Sequence, residues 1–321
     1  MVGLRRSLPA GIVLGFIADA LLADPRRGHP VAGFGWCATC IEALTYRDDR
    51  SAGVLHTAVL SCGVAGAAAA AQHRLRTSWA RTALAAAATW VALGGTTLTK
   101  TGSQMADLLD AGDIDAARAL LPSLCGRDPS VLDGPGLARA ACESVAENTS
   151  DAHVAALFWA AVAGVPGVLA YRAVNTLDAM IGNFSARYAR FGWAAARLDD
   201  LANFVPARLT GVLVLACAPL SGGSSVRAAQ AWRRDAAGHP SPNAGIAEAT
   251  FAGALGVRLG GATQYRHRLE IRPTLGDGPA PGVADLRRAV ALSRLVQVGA
   301  LAAALVISAV CRSGRQVCLR G

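Results

Sequence analysis

Charge is scarce in this chain of 321 residues, 17% of which are charged, against about a quarter in soluble domains. Disorder is excluded, because it needs low hydrophobicity together with high net charge, and too little polar surface remains for an ordinary soluble domain. Lysine is reduced to Lys100, every other basic residue being arginine. The net charge of +9 is spread along the chain and aromatics make up only 5%, so no basic cluster with interleaved aromatics marks a nucleic-acid surface. The excess reads as loop charge flanking membrane spans. The eight cysteines lack paired spacing. The lone Cys37-x-x-Cys40 has no second pair or nearby histidine, which gives a zinc or redox centre little support. The GxGxxG, HExxH and GxSxG patterns are absent. Gly94–Thr101 misses the phosphate-loop pattern, because Thr99 replaces its second glycine and an apolar helix precedes it where a strand belongs.

What is present is apolar: 53% of residues are hydrophobic, in alanine-rich runs that favour helices. An all-α, multi-pass membrane protein is predicted, one domain over residues 1–321, because about 20 apolar residues cross a bilayer. Gly53–Gln72, Thr82–Thr99, Leu295–Cys311 and Ser7–Ala23 are charge-free or nearly so, Asp19 being the exception. Ala152–Tyr171 and Leu209–Val226 are two weaker candidates, interrupted by Gly164-Val-Pro-Gly167 and Pro219–Ser225. Four spans are therefore expected, and at most six, with those two breaks marking buried or re-entrant helices. In that arrangement the polar segments 24–51, 100–151, 172–208 and 227–290 share one side of the membrane. Asp107–Leu121 reads as an amphipathic helix ended by Pro122, and the glycine- and proline-rich 227–290 as ordered loop.

The scarce charges are concentrated. Glu143, Glu147 and Asp151 follow an i, i+4, i+8 spacing and share one helical face, where like charges repel. A hard cation such as magnesium relieves that repulsion; a solvated acidic face is the alternative. Arg172, Asn175 and Asp178 lie on another face beside an apolar run, where an uncompensated charge is costly, and an internal Arg172–Asp178 pair would serve as well. Asp199 and Asn203, with Asp200, Arg197 and Arg208 around them, suit a metal, an ammonium group or an exposed ion-pair network. Arg26, Arg27 and His29 form a rigid turn at a membrane exit, where arginines clamp phosphate or carboxylate or anchor the interface. Asn243 and Glu248 lie in the turn-rich Ser241-Pro-Asn-Ala-Gly245 region.

Together these segments resemble the CobD/CbiB family, the adenosylcobinamide-phosphate synthases. The resemblance rests on Asp24-Pro-Arg-Arg-Gly-His-Pro-Val31, Gly126-Arg-Asp128, Ala140–Asp151, Ala170–Met180, Arg197–Arg208, Ser241–Gly245, Phe251–Gly261 and Gly276-Asp-Gly278. The chain departs from the family pattern at Ala152, Ala156 and Ala32-Gly33. The resemblance implies an inner-membrane carbon–nitrogen ligase. It would join a propionate carboxyl of adenosylcobyric acid to aminopropanol or its phosphate, using ATP and Mg2+. On that reading Glu143, Glu147 and Asp151 hold a metal or the amine, with Asp178 at the same site and Asp199 or Asp200 as general base. Substrate binding falls to Arg26, Arg27, His29, Asn148, Arg172, Asn175, Asn203, Arg208, Asn243 and Glu248. A transporter subunit and a non-catalytic scaffold for corrin-pathway enzymes are the rival readings. The enzyme is preferred because the polar motifs are expected to lie between spans and no repeat is visible.

Overall fold

The computed structural model describes residues 7–318 apart from 26, 183–184 and 266–267. It is helical as expected, with one two-stranded antiparallel sheet. The helices are α1 (Ser7–Leu22), α2 (Pro30–Thr45), α3 (Arg50–Arg74), α4 (Ser78–Ala92), α5 (Gly95–Asp110), α6 (Ile114–Leu120) and α7 (Gly134–Thr149). After a π-helical turn at Ser150–Val154 come α8 (Ala155–Leu177), a second π turn at Asp178–Gly182, α9 (Trp193–Cys217), α10 (Ser225–Asp235) and α11 (Ala244–Leu255). The hairpin β1 (Leu259–Tyr265) and β2 (Arg268–Leu275) precedes the last helix, α12 (Val283–Cys318). Residues sort into two compact units: Met1–Gly94, Ala155–Asn203 and Leu301–Gly321 form unit 1, while Gly95–Val154 and Phe204–Ala300 form unit 2.

Among the described residues, four helical stretches are long and apolar enough to cross a membrane: Arg50–Arg74, Gly134–Gly182, Trp193–Ser221 and Val283–Cys311. The expected number is met, but its membership changes. Ser7–Leu22 has 16 residues, about 24 Å of rise against a hydrocarbon core of roughly 30 Å. The stretch read as Thr82–Thr99 is interrupted at Leu93-Gly94, where α4 ends and α5 begins. The two weaker candidates instead belong to the long helices. Gly164 breaks the regular helix locally, at φ 66° and ψ −152°. The argument that four polar segments share one side thereby loses its premise. So does the idea that the polar motifs lie between spans, since Glu143, Glu147 and Asp199 sit on the long helical stretches themselves. A charge-free window finds only the uncharged part of such a helix, because charges enclosed by protein are tolerated on the rest.

In unit 1, α1 lies close against α4. Gly11 and Gly15 meet Ala85 and Thr89, a small-residue seam that lets two backbones approach in an apolar environment. The Trp90 indole donates to Ala23 O (3.2 Å) and closes the end of that pair. Ala38, Leu60, Leu177, Ile181, Phe191 and Ala195 form an enclosed apolar cluster.

In unit 2, α10 and α11 pack closely where Gly253 faces the backbone of Arg227, and α7 is tied to α12 by Thr149–Ser293 (2.6 Å). The segment 227–290, expected to be loop, holds α10, α11, the hairpin and the start of α12. Its glycines mark turns and close contacts between elements, which composition alone cannot distinguish from loop. The amphipathic stretch 107–121 is likewise split into α5 and α6 by Gly112 at φ +72°.

Candidate active site

Helix α7 begins with Asp133 capping Gly136 N, the expected use of an aspartate at a helix start. It is enclosed on most sides, and its alanines at 138, 140, 141 and 146 let neighbours come close. Glu143 is 1% exposed. It is paired with the Arg127 guanidinium, and its Oε1 accepts the Gly260 backbone N–H at 2.7 Å. Gly260 lies where the β1–β2 register shifts between Leu259 and Gly261, facing two β2 residues, Pro273 and Thr274; the bulge disrupts the ladder locally, and the Gly260 N–H is given to Glu143 instead. Its φ of +79° favours glycine, and a side chain there would collide with Pro273 O. Arg139, one turn before Glu143, fixes the same strand by donating to Gly260 O (2.8 Å) and Ala262 O (2.7 Å). Burial opposes the charge on Arg127, but the Glu143 carboxylate, together with Cys125 and Glu248, outweighs this and holds its pKa above the ordinary arginine value.

Beside this pair, Glu248 lies on α11, all of whose residues are buried. Glu248 itself is 1% exposed, and neither carboxylate oxygen has a hydrogen-bond partner. Its Oε1 is 3.7 Å from His239 Nε2 and 4.0 Å from Arg272 Nη1. Burial pushes its pKa well above the ordinary carboxylate value; Glu143 and Glu147 push the same way, while Arg272 and Arg127 pull back. With 12 residues, α11 is too short to span a bilayer. A groove of about 750 Å³, lined among others by Arg208, Trp232, Arg233 and His239, adjoins this region. Arg208 stacks on the Phe204 ring (3.5 Å to the centroid) and donates to Asn243 Oδ1 at 3.3 Å.

The other expected residues fall as follows. Asn148 is tied to its own helix through Ser144 O (3.0 Å) and Ser144 Oγ (3.2 Å). Asp151 lies in the π turn. The expectation that Glu143, Glu147 and Asp151 jointly hold magnesium is corrected: among the described residues no three His, Cys, Asp or Glu side chains come together in a way that could hold a metal. Two turns separate Glu143 from Asp151, about 12 Å along the axis, too far for one ion with ligands near 2.1 Å. Glu143 is also engaged by Arg127 and Gly260.

In unit 1, Asp199 accepts from Asn203 Nδ2 (2.9 Å) and Asn175 Nδ2 (3.3 Å), and Tyr171 donates to Asn203 Oδ1 at 2.9 Å. Arg172 donates to Asn175 Oδ1 at 3.4 Å. Asp200 pairs with Arg197 (3.5 Å) at a partly exposed position, and Asp178 begins the second π turn, packed over Gly182. His29 Nδ1 caps α2 by accepting from Val31 N (3.1 Å), and its Nε2 lies 3.4 Å from Asp24. Arg27 is exposed, and Arg26 lies outside the described residues.

Arg127, His239, Arg272 and Gly260 carry no site signal of their own in the sequence. Gly126-Arg-Asp128 stood out only as a motif. The period-two pattern Glu270, Arg272 was the available signal for a strand face.

A family model described as "CobD/Cbib protein" matches residues 12–293. The Cobalamin biosynthesis protein CobD of Mycobacterium tuberculosis is 62% identical over 297 residues, covering 92% of this chain and 95% of the relative. Its namesake in Rhodobacter capsulatus is 43% identical over 281 residues, covering 85% and 87%. That of Chromobacterium violaceum is 40% identical over 317 residues, covering 94% and 97%. No solved structure matches. The extent of these matches shows that the chain belongs to the CobD/CbiB family of cobalamin biosynthesis.

Proposed function

We propose that this chain is a membrane enzyme that forms an amide bond between a propionate carboxyl of adenosylcobyric acid and aminopropanol or its phosphate. The reading is carried by one observation: unit 2 encloses Glu143, Glu248 and Arg127 together, with Glu147, Arg272 and His239 around them. Amide formation brings an anionic electrophile to a cationic amine, and such a cluster offers groups for both. Arg127 is occupied by Glu143, and beside the groove Arg208 and Arg233 are guanidinium groups suited to a carboxylate or phosphate. Glu147 and Glu248 suit the ammonium. The groove falls within the size range of small-molecule sites.

A carboxylate is a poor electrophile, and ATP would activate it as an acyl phosphate, whose developing charge guanidinium groups stabilise. A magnesium ion would then come with the nucleotide, not on a resident three-carboxylate site. Asp199 and Asp200 are no longer favoured as the base, the first accepting from Asn175 and Asn203 and the second paired with Arg197.

Purified protein supplied with adenosylcobyric acid, ATP, Mg2+ and either amine should yield the amide by mass spectrometry, and a wild-type protein that yields none overturns the reading. Glu147→Gln should abolish product while membrane insertion persists. Full activity would remove Glu147 from the site.

A further inference from the structure

Glu143 and Glu248 are equally enclosed, yet only Glu143 has hydrogen-bonding partners. A buried carboxylate without hydrogen bonds is costly, and the surroundings of Glu248 show what relieves that cost. His239 Nδ1 is engaged with Ser241, lying 3.2 Å from its O and 3.1 Å from its N. This leaves Nε2 turned toward Glu248, with no hydrogen bond of its own. The ring also lines the groove of about 750 Å³. Gly245 makes room for the histidine, because a side chain there would run into His239 Cβ and Ala236 O. Ser241 Oγ in turn accepts from Ala244 N at 3.1 Å and fixes the start of α11, which carries Glu248.

The charged groups facing the pair are Glu143 and Glu147 from α7, Arg127 from the preceding loop, and Glu270 and Arg272 from β2. Burial favours the neutral forms of both partners, lowering the pKa of His239 and raising that of Glu248. Both shifts favour a carboxylic acid beside an uncharged imidazole over an ion pair.

We propose that Glu248 and His239 form a proton relay that deprotonates the incoming amine, Glu248 taking the proton and His239 conducting it to the groove. The inference rests on the amide-forming reading above. A primary amine attacks only when its lone pair is free, so its ammonium form must first shed a proton. Docking of the ammonium adds positive charge beside Glu248 and favours its ionised form. The Glu248 O–H bond then breaks as an N–H bond forms at His239 Nε2, and the imidazolium releases a proton to water in the groove. An N–H bond of the ammonium next breaks as the Glu248 O–H bond re-forms. The sum is one proton moved from ammonium to water, with both side chains restored and no change of oxidation state.

The test uses full-length protein in lipid nanodiscs, with adenosylcobyric acid, aminopropanol phosphate or aminopropanol, and ATP. Glu248→Gln should lower the initial rate by about 100-fold or more, the usual scale of a lost general base. His239→Gly should lower it by roughly tenfold or more, with partial recovery in added imidazole that wild type does not show. An infrared band from a protonated carboxyl, present at neutral pH in wild type and lost in E248Q, reads the resting state without relying on turnover. A near-wild-type rate in E248Q, an H239G defect that imidazole leaves unchanged, or absence of that band would each overturn the relay. Wild type that makes no amide overturns the functional reading and the relay with it, whereas wild-type turnover with an active E248Q protein overturns the relay alone.

Discussion

Each unit encloses an acidic side chain in a polar cluster, and the two are held in opposite ways. In unit 1, Asp199 is buried as the acceptor for Asn175 and Asn203, and Tyr171 completes the network by bonding Asn203. Amide donors engage both of its oxygens, and such a network fixes a fold. In unit 2, Glu248 is buried more deeply and has no hydrogen bond, while Glu143 on the adjacent helix α7 is fully engaged. A satisfied carboxylate holds elements together, whereas an unsatisfied one in a buried cluster is placed for something that arrives.

The largest expected effect tests the engaged half of unit 2. Arg127→Met leaves Glu143 buried without its counter-charge, and breaking such a pair typically costs about 3–5 kcal/mol. Thermal unfolding in detergent should show this loss, and the further change Glu143→Gln should restore part of it. An unchanged midpoint in Arg127→Met would mean that the ion pair does not organise the cluster. A smaller effect is expected in unit 1. Asp199→Asn sets an amide against two amide donors and should cost about 1–3 kcal/mol, with the catalytic rate of the folded protein preserved. A rate collapse at unchanged stability would reverse the comparison and return Asp199 to the role of base.

The smallest effect is a pH dependence. Glu248 is held above its ordinary value of 4.5 by burial and by the charges of Glu143 and Glu147, so the folded protein keeps this proton to higher pH than the unfolded chain. Its contribution to stability is therefore complete below the ordinary carboxylate value and is lost as pH rises through the raised folded value. Unfolding midpoints of wild type should fall relative to Glu248→Gln as pH increases over that window. Parallel curves would show that Glu248 ionises as freely in the folded state as in the unfolded one.

Much of this was legible in the residues. Apolar runs announced a helical membrane protein with four long spans, and several motifs pointed to the family now shown. Glu143, Glu147, Asn243 and Glu248 all lie within unit 2. Span membership was not legible, because Gly94 interrupts an apolar stretch that contains no charge, while charged residues carried along the two longer helices hid their full length. The metal triad was misread because i, i+4, i+8 spacing reports a shared face but ignores the rise between its ends.

The motifs carried the resemblance to the family, while composition and spacing by themselves determined the helical membrane class and which carboxylates share a helix face. These follow from local periodicity and from solvent preference, both written in neighbouring residues. Only the tertiary structure decided which carboxylate is satisfied and which is not. The Gly260 N–H reaches Glu143 from 117 residues away, and His239 faces Glu248 because Gly245 leaves it space. A hydrogen bond depends on what packs across a helix face, and no repeat along that helix encodes the partner.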